Sequence, residues 1–582
     1  MFSHLFIEQK NKHLEKIALE YPGAVSLSYR ALGDLSERQK KLLLELGIKK
    51  ADRIALVLPN SPAMLSLIVS ILSFASLAPL NPNYKASEFE FYLSDLRPQL
   101  LILPVGSDSP AISVAKKLGI KIIFVELETG DLIISTDLSK ASFDFVSPSE
   151  NDIALVLHTS GTTSRPKIVP LSQKNLLAST RNLIRTLHLD NDDVCLNLMP
   201  LFHIHSFVVS LAVLASGGRL VITPTFAVAD FYSWLDKFNP SWYTAAPTMH
   251  LAIYKAAEKY PEILEKTKLK RIRSSSAPLA SDLILGLEKI FQAPLLESYG
   301  MTEAALQITS NQFPPELRKP GSAGRADGPE LKVINEQGET LASGEVGEVV
   351  IRGENIFSQY ENNPEANQNS FIDGWFRTGD LGYLDHDNYL FITGRSKEMI
   401  NKGGEKISPR EIDEILMRHP AIYQAVAFAV PHSSLGEEVG VAIVLEAEQN
   451  LASHELQKFA REYLADFKVP QVVVFLDEIP KGPTGKLQRI GLYEKLKNNN
   501  MMQEKNNQAT AVSDKENQLL QIWQKVLEIE NLGVEDNFFE MGGDSLKLKE
   551  LITQAENKGL KIELEEVLNN PTVKGLAEKI KN

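Results

Sequence analysis

The run Ile153-Ala154-Leu155-Val156-Leu157-His158-Thr159-Ser160-Gly161-Thr162-Thr163-Ser164-Arg165-Pro166-Lys167 joins a short apolar segment to a loop of small and hydroxyl residues that closes on a lysine. The apolar segment reads as a strand, Ile153–His158, of an α/β layer. In the loop, consecutive small and hydroxyl side chains leave backbone N–H and side-chain O–H groups free to wrap an oxyanion, and Lys167 adds a positive charge. The pattern is not a P-loop, which ends Gly-Lys-Ser/Thr and opens a helix. A polar surface turn would look the same locally, so the loop gains meaning only from what accompanies it.

Four further segments accompany it. Glu297-Ser298-Tyr299-Gly300-Met301-Thr302-Glu303 sets an aromatic face, a hydroxyl and a carboxylate close together. An aromatic packs on a nucleobase, a threonine bonds a phosphate oxygen and a glutamate suits Mg²⁺, which prefers oxygen ligands. Trp375-Phe376-Arg377-Thr378-Gly379-Asp380-Leu381-Gly382 offers a carboxylate on a tight turn, suited to a ribose diol. Gly394-Arg395-Ser396-Lys397-Glu398 supplies a guanidinium soon after, and Pro480-Lys481-Gly482-Pro483-Thr484-Gly485-Lys486 ends on a lysine in a Gly/Pro-rich loop. Each is an ordinary turn by itself; five in this order are not.

The setting is globular. The chain has 582 residues, 43% hydrophobic and 23% charged, too long for one domain. A net charge of −13 argues against non-specific nucleic-acid binding. The one cysteine, Cys195, lies in an apolar strand-like run, excludes an intramolecular disulfide and reads as a buried structural thiol; a cytoplasmic location fits it. No signal peptide is expected from MFSHLFIEQKNKHLEK, and Leu65–Leu80, broken by serines and Pro79, reads as a core helix rather than a membrane span. Alternating runs predict strands at Arg53–Leu58, Leu100–Pro104 and Ile153–His158 and a helix at Met64–Leu77. From Gly344 the texture turns β-rich, and a boundary falls near Thr393–Lys397. After it come strands at Ala425–Val430, Val441–Leu445 and Val472–Leu476 and helices at Pro409–Met417 and Ser453–Leu464. Residues 498–513, rich in Asn and Gln, read as a flexible linker, and residues 513–582, with 14 acidic and 9 basic side chains, as a small acidic helical domain.

With these motifs in order, residues 1–497 resemble the adenylate-forming superfamily of acyl-CoA synthetases and peptide-synthetase adenylation domains. Ser164-Arg165, SNQFPPELRKPGSAG at 310–324 and KGGEKISP at 402–409 are similar to its oxalate–CoA ligase branch. The resemblance implies an α/β fold: a large layered lobe with a β-rich portion (1–394) and a small α+β swinging lobe (395–497). It implies ATP and Mg²⁺ as cofactors. Thr159, Ser160, Gly161, Thr162, Thr163 and Lys167 would hold the triphosphate; Tyr299 would line the adenine; Thr302 and Glu303 would bind phosphate and Mg²⁺. Asp380 and Arg395 would hold the ribose, and Lys397 would be the hinge that exchanges Lys486 for the Gly403-Gly404 loop at a thiol channel. Phe202, His203 and His205 would line an acyl pocket opposite Ser274, Ser275 and Ser276, with His203 as its gate; a structural histidine is the plainer reading of an apolar run. Amino-acid-activating relatives place an Asp here, and the oxalate branch a His where this chain has Leu306. The expected substrate is therefore an apolar or weakly polar monocarboxylic acid of short to medium length.

Phe538-Phe539-Glu540-Met541-Gly542-Gly543-Asp544-Ser545-Leu546 reads locally as a capped helix start. The whole tail, 514–582, resembles an acyl or peptidyl carrier domain, which implies 4′-phosphopantetheine on Ser545, added by a separate phosphopantetheinyl transferase. The linker (498–513) would let the carrier reach the adenylation site over roughly 20 Å. Downstream acyl-accepting enzymes in trans are then expected partners. The runner-up reading is an acyl-CoA ligase using free CoA; a third is an inactive carrier-docking protein, which intact Lys486, Glu303, Asp380 and Arg395 oppose. A carboxylate meeting an α-phosphate brings two anions together, so Lys486→Ala is expected to lower acyl-adenylate formation by about 100-fold or more, read by ATP–pyrophosphate exchange.

Overall fold

The computed structural model describes residues 2–134, 145–159, 166–432, 435–480, 489–498, 513–527, 532–534, 537–539, 541, 543 and 545–580. The chain forms two compact units, Met1–Ser396 and Lys397–Asn582. Arg395 stays with the first because it ends the strand Leu390–Arg395, paired in register with Asp380.

Among the described residues the first unit holds three sheets. The nine-stranded sheet runs Arg325–Ala326, Leu306–Ser310, Leu295–Met301, Arg271–Ser274, Trp242–Ala245, Val194–Asn197, Arg219–Ile222, Ile17–Glu20, Leu27–Ser28. Its central strands are parallel and buried on both faces, so Val194–Asn197 and Trp242–Ala245 are largely apolar, while Arg271–Ser274 buries two arginines. A seven-stranded sheet runs Leu132–Ile133, Lys121–Val125, Leu100–Pro104, Arg53–Leu56, Ser76–Pro79, Ile153–His158, Ile168–Ser172. One apolar cluster joins these two sheets through the buried helices Pro62–Leu72 and Ile204–Ala215. The third sheet, antiparallel, carries Glu330–Ile334, Gly347–Arg352, Trp375–Leu384, Phe371–Ile372 and Leu390–Arg395.

One expectation needs correcting. The helix expected over Met64–Leu77 ends at Leu72, capped at its start by Ser61, whose Oγ accepts from the Met64 N–H at 3.2 Å. Ser76–Pro79 is instead a fully buried strand between Arg53–Leu56 and Ile153–His158. Hydrophobicity cannot separate a buried helix from a buried parallel strand when both are apolar all round. Pro79 fits because it ends the strand, and the next N–H, of Leu80, donates to Leu56.

The second unit holds an antiparallel sheet of Glu405–Ile407, Ile400–Lys402, Gly436–Leu445 and Ile422–His432, with Val472–Phe475 added parallel to Gly436–Leu445. Helices Pro409–Leu416 and Ser453–Tyr463 pack on it. Further along the chain, helices Asp514–Leu527, Ser545–Asn557, Leu564–Asn569 and Val573–Ala577 share an apolar centre around Trp523 and Phe538, whose rings meet edge to face at 5.1 Å. No described helix is long and apolar enough to cross a membrane.

His250, fully buried on the helix Pro247–Ala256 beside the Tyr243 hydroxyl, has its imidazole pushed down to about 4 by burial. A folded value below the ordinary histidine range means the fold binds the neutral ring. Stability from this residue is complete above about pH 6.5 and is lost as pH falls towards 4, by up to about 3 kcal/mol. Denaturant unfolding at pH 7 and pH 5 is expected to show a smaller drop in His250→Leu than in the parent chain; equal drops would refute this.

Candidate active site

The parallel strands Val194–Asn197, Trp242–Ala245, Arg271–Ser274 and Leu295–Met301 end on one edge of their sheet, where open α/β sheets take ligands. The segments leaving those ends carry Phe202 and His203, Ser274–Ser276, and Tyr299–Glu303.

The Thr302-Glu303 turn is held from several sides. It is a single 3₁₀ turn, Thr302–Ala304, between antiparallel strands Leu295–Met301 and Leu306–Ser310. The Asn355 side-chain amide donates to the carbonyls of Ala304 (2.9 Å) and Gln307 (3.0 Å). The Phe357 N–H donates to the Glu303 carbonyl at 2.8 Å, and Ser179 Oγ to that of Ala305 at 2.5 Å. Ala305 and Leu306 take left-handed φ values of 48° and 104°, the cost of so tight a return. Gly300 makes the close pairing possible: a Cβ there would lie 1.6 Å from the Leu306 carbonyl oxygen.

Glu303 is 7% exposed. Its Oε1 accepts from the Tyr360 hydroxyl at 2.7 Å, and Oε2 has no hydrogen-bond partner among the described residues. Burial, then the Glu303 charge, pushes the Tyr360 phenol far above its usual range, so it stays a donor. Lys167 Nζ stands 4.3 Å above the centre of the same Tyr360 ring. Lys167 ends the expected phosphate loop, whose base is closed by the Thr159 N–H donating to the Lys167 carbonyl at 2.9 Å. Ser160, Gly161, Thr162, Thr163, Ser164 and Arg165 lie outside the described residues. No group of three or more His, Cys, Asp or Glu among the described residues could cage a metal. One carboxylate with an unused oxygen fits Mg²⁺, which keeps waters and takes its other ligands from substrate phosphates.

Tyr299, Asp380 and Arg395 come together. The Tyr299 hydroxyl donates to Asp380 Oδ2, and Arg395 Nε meets Oδ1 at 2.8 Å. Burial, then the Asp380 charge, pushes the Tyr299 phenol well up.

In the expected acyl region, the Phe202 and His203 rings are 4.6 Å apart, and His203 precedes the helix Ile204–Ala215. His205, 2% exposed on that helix, has Nδ1 3.0 Å from Ser276 Oγ, and Nε2 2.7 Å from Thr244 Oγ1 and 2.8 Å from Arg273. Arginine only donates, so Nε2 accepts and the ring proton sits on Nδ1, facing Ser276. Ser276 has a left-handed φ of 82°. Ser275 Oγ donates to the Ser298 carbonyl at 3.2 Å, Ser274 is buried, and Leu306 belongs to the main apolar cluster.

In the second unit, Lys397 is exposed at its start. Gly403-Gly404 forms the two-residue turn of the hairpin Ile400–Lys402/Glu405–Ile407 with φ of 60° and 97°, a pair of values that favours glycine at both places. Lys486 lies outside the described residues. Arg489, soon after it, pairs with Asp413, donates to the Ala427 carbonyl at 3.0 Å and reaches Glu398, next to Lys397, at 3.3 Å. Ser545 opens the helix Ser545–Asn557; Gly542 and Asp544 lie outside the described residues.

The chain matches the AMP-binding enzyme family over residues 6–361, the AMP-binding enzyme C-terminal domain over 411–486 and the phosphopantetheine attachment site family over 517–580. It belongs to the AMP-binding enzyme family. An oxalate–CoA ligase of Arabidopsis thaliana is 42% identical over 489 residues, 82% of this chain and 95% of that protein. A sulfoacetate–CoA ligase of Cupriavidus necator is 31% identical over 451 residues, 77% of this chain and 88% of that protein. The ATP-bound MatB of Rhodopseudomonas palustris superimposes with a TM-score of 0.78 at 28% identity, over 85% of this chain and 99% of that one. The protein is thus an adenylate-forming acid–thiol ligase of the acyl-CoA ligase type with a carrier domain, and its resemblance to the oxalate–CoA ligase branch stands.

Several residues of this AMP-binding enzyme were not singled out from sequence. Tyr360, Asn355, Arg273, Thr244 and Arg489 sit in stretches without motif character, and their partners are far away along the chain. Only the tertiary fold joins them.

Gly300→Ala is expected to destabilise the hairpin that carries Tyr299 and Glu303 by at least about 2 kcal/mol, since the clash is with backbone, and to weaken ATP binding with it. Thermal unfolding and nucleotide titration check both; an unchanged midpoint would contradict the close pairing.

Proposed function

We propose that the chain activates a monocarboxylic acid as its acyl adenylate and transfers the acyl group to phosphopantetheine on its own Ser545. In the first step the substrate carboxylate attacks the α-phosphorus of ATP and pyrophosphate leaves. Lys486 neutralises the meeting anions, Glu303 and Lys167 hold the triphosphate end, and Tyr299, Asp380 and Arg395 hold the nucleoside end. Magnesium, when bound at Glu303, supplies further charge neutralisation on the phosphates. For the second step, phosphopantetheine attached at Ser545 would supply the thiol that displaces AMP from the acyl carbon, its proton passing to solvent. Lys397 is the hinge between these steps, and Gly403-Gly404 lines the way in for the thiol.

The observation that carries the reading is the fate of the only encoded thiol. Cys195 is fully buried, and burial pushes its thiol well up, so it neither reaches an adenylate nor ionises readily. An acid–thiol ligase with a phosphopantetheine attachment family at its carboxyl side has a fitting acceptor in Ser545. For the acid, Phe202 and Leu306 favour an apolar or weakly polar chain. Arg273, the buried cation nearby, already faces His205 and Gln307. A second reading, free CoA as acceptor, is favoured by relatives described as CoA ligases.

Intact-mass measurement of the phosphopantetheinylated chain with ATP and a panel of acids tests this. An ATP-dependent acyl mass on the carrier, absent in Ser545→Ala, is expected with a monocarboxylic acid. Preferred turnover of oxalate or an amino acid would overturn the acid class, and efficient acylation of CoA with Ser545 never loaded would overturn the acceptor.

A further inference from the structure

The Glu303 carboxylate is nearly buried, yet no cation pairs with it among the described residues, where its hydrogen bond comes from the Tyr360 hydroxyl. A buried carboxylate without a countercharge is costly unless something supplies one. The residue that satisfies it is itself held rigidly. Tyr360 is 5% exposed, and Asn367 grips its backbone twice: the Tyr360 N–H donates to Asn367 Oδ1 and Asn367 Nδ2 donates to the Tyr360 carbonyl, both at 2.8 Å. The next residue, Glu361, donates its N–H to the Ile168 carbonyl at 3.1 Å and forms an ion pair with Arg53. Tyr360 is therefore anchored to the strand that follows Lys167, while its hydroxyl reaches the strand connection that carries Glu303.

We propose that Tyr360 is a positioning residue that sets the Glu303 carboxylate and the Lys167 ammonium as one unit for a magnesium-bound triphosphate. This rests on the ATP site proposed above. The two ends of the side chain do different work. The hydroxyl occupies Oε1 of Glu303 and so aims Oε2 at the cation. The ring face attracts Lys167, so one side chain engages both the ammonium and the carboxylate. Phe357, ring to ring with Tyr360 at 4.8 Å, keeps the phenol from turning away.

The test is calorimetric titration of ATP into the full chain without any acid, so that no turnover occurs, once with Mg²⁺ and once with EDTA. The quantity read is the gain in ATP affinity on adding Mg²⁺. Tyr360→Phe keeps the ring under Lys167 and removes only the hydroxyl. It is expected to cut the magnesium-dependent gain about tenfold while leaving affinity in EDTA within about twofold of the parent. Tyr360→Leu, which also removes the ring, should weaken binding in EDTA as well. In a Glu303→Gln background the gain should be small, and Tyr360→Phe should not change it further. An equal loss with and without Mg²⁺ in Tyr360→Phe marks a merely structural role and overturns the proposal, as does an unchanged gain. If Tyr360→Phe does not fold, judged by its thermal midpoint, Asn367→Ala replaces it: loosened backbone must lower the gain, and an undiminished gain overturns the proposal. Failure of the parent chain to bind ATP at all would instead overturn the function on which it rests.

Discussion

The side-chain amide of Asn355, donating at once to the carbonyls of Ala304 and Gln307, is the contact on which the rest of the site depends. Those carbonyls flank a connection in which two successive non-glycine residues have positive φ, so their hydrogen-bond needs cannot be met by regular structure. Asn175 Nδ2 in turn donates to the carbonyls of Glu354 and Ile356 at 2.8 Å, tying Asn355 to the helix that follows the strand Ile168–Ser172. Two buried side-chain amides, each donating to two carbonyls, thus fix where Glu303 stands relative to the strand that follows Lys167. Such networks are rigid because breaking one bond leaves a buried polar group with nothing.

Much of this was legible in the sequence where one segment contained its own chemistry. The strand and lysine of Ile153–Lys167, the Tyr299–Glu303 run and the Asp380 and Arg395 motifs could each be read from one short segment, although Tyr299 and Glu303 find their partners, Asp380 and Tyr360, far along the chain. Asp380 and Arg395 came together because they are cross-strand partners, and the Tyr299 hydroxyl joins them from the nine-stranded sheet. What was not legible had partners far off. Tyr360 meets Glu303, Asn355 meets Ala304 and Arg489 meets Asp413 only after folding. The helix-to-strand break within Leu65–Leu80 was hidden for another reason: both elements are buried on all sides, so no amphipathic period distinguishes them.

The carrier changes what the acidic balance and the scarcity of cysteine mean. Its acidic side chains account for part of the net charge of −13. The one encoded thiol is sealed in the core, so the acceptor sulfur comes from a thiol the chain does not encode: phosphopantetheine on the carrier, as proposed, or free CoA. A tethered thiol reaches an effective concentration near millimolar, which a free thiol matches only at a similar bulk concentration. The same relatives that place the adenylation unit with CoA ligases therefore leave the choice of thiol to kinetics rather than to affinity alone.

The most direct measurement of that choice is a single-turnover competition. The phosphopantetheinylated chain, loaded with its acyl adenylate, is offered an equimolar to tenfold excess of free CoA, and the acyl group is followed by intact mass on the chain and by chromatography of acyl-CoA. The account predicts that most of the acyl group appears on Ser545 in step with AMP release. Acyl-CoA accumulating in step with AMP while Ser545 stays unloaded would contradict it.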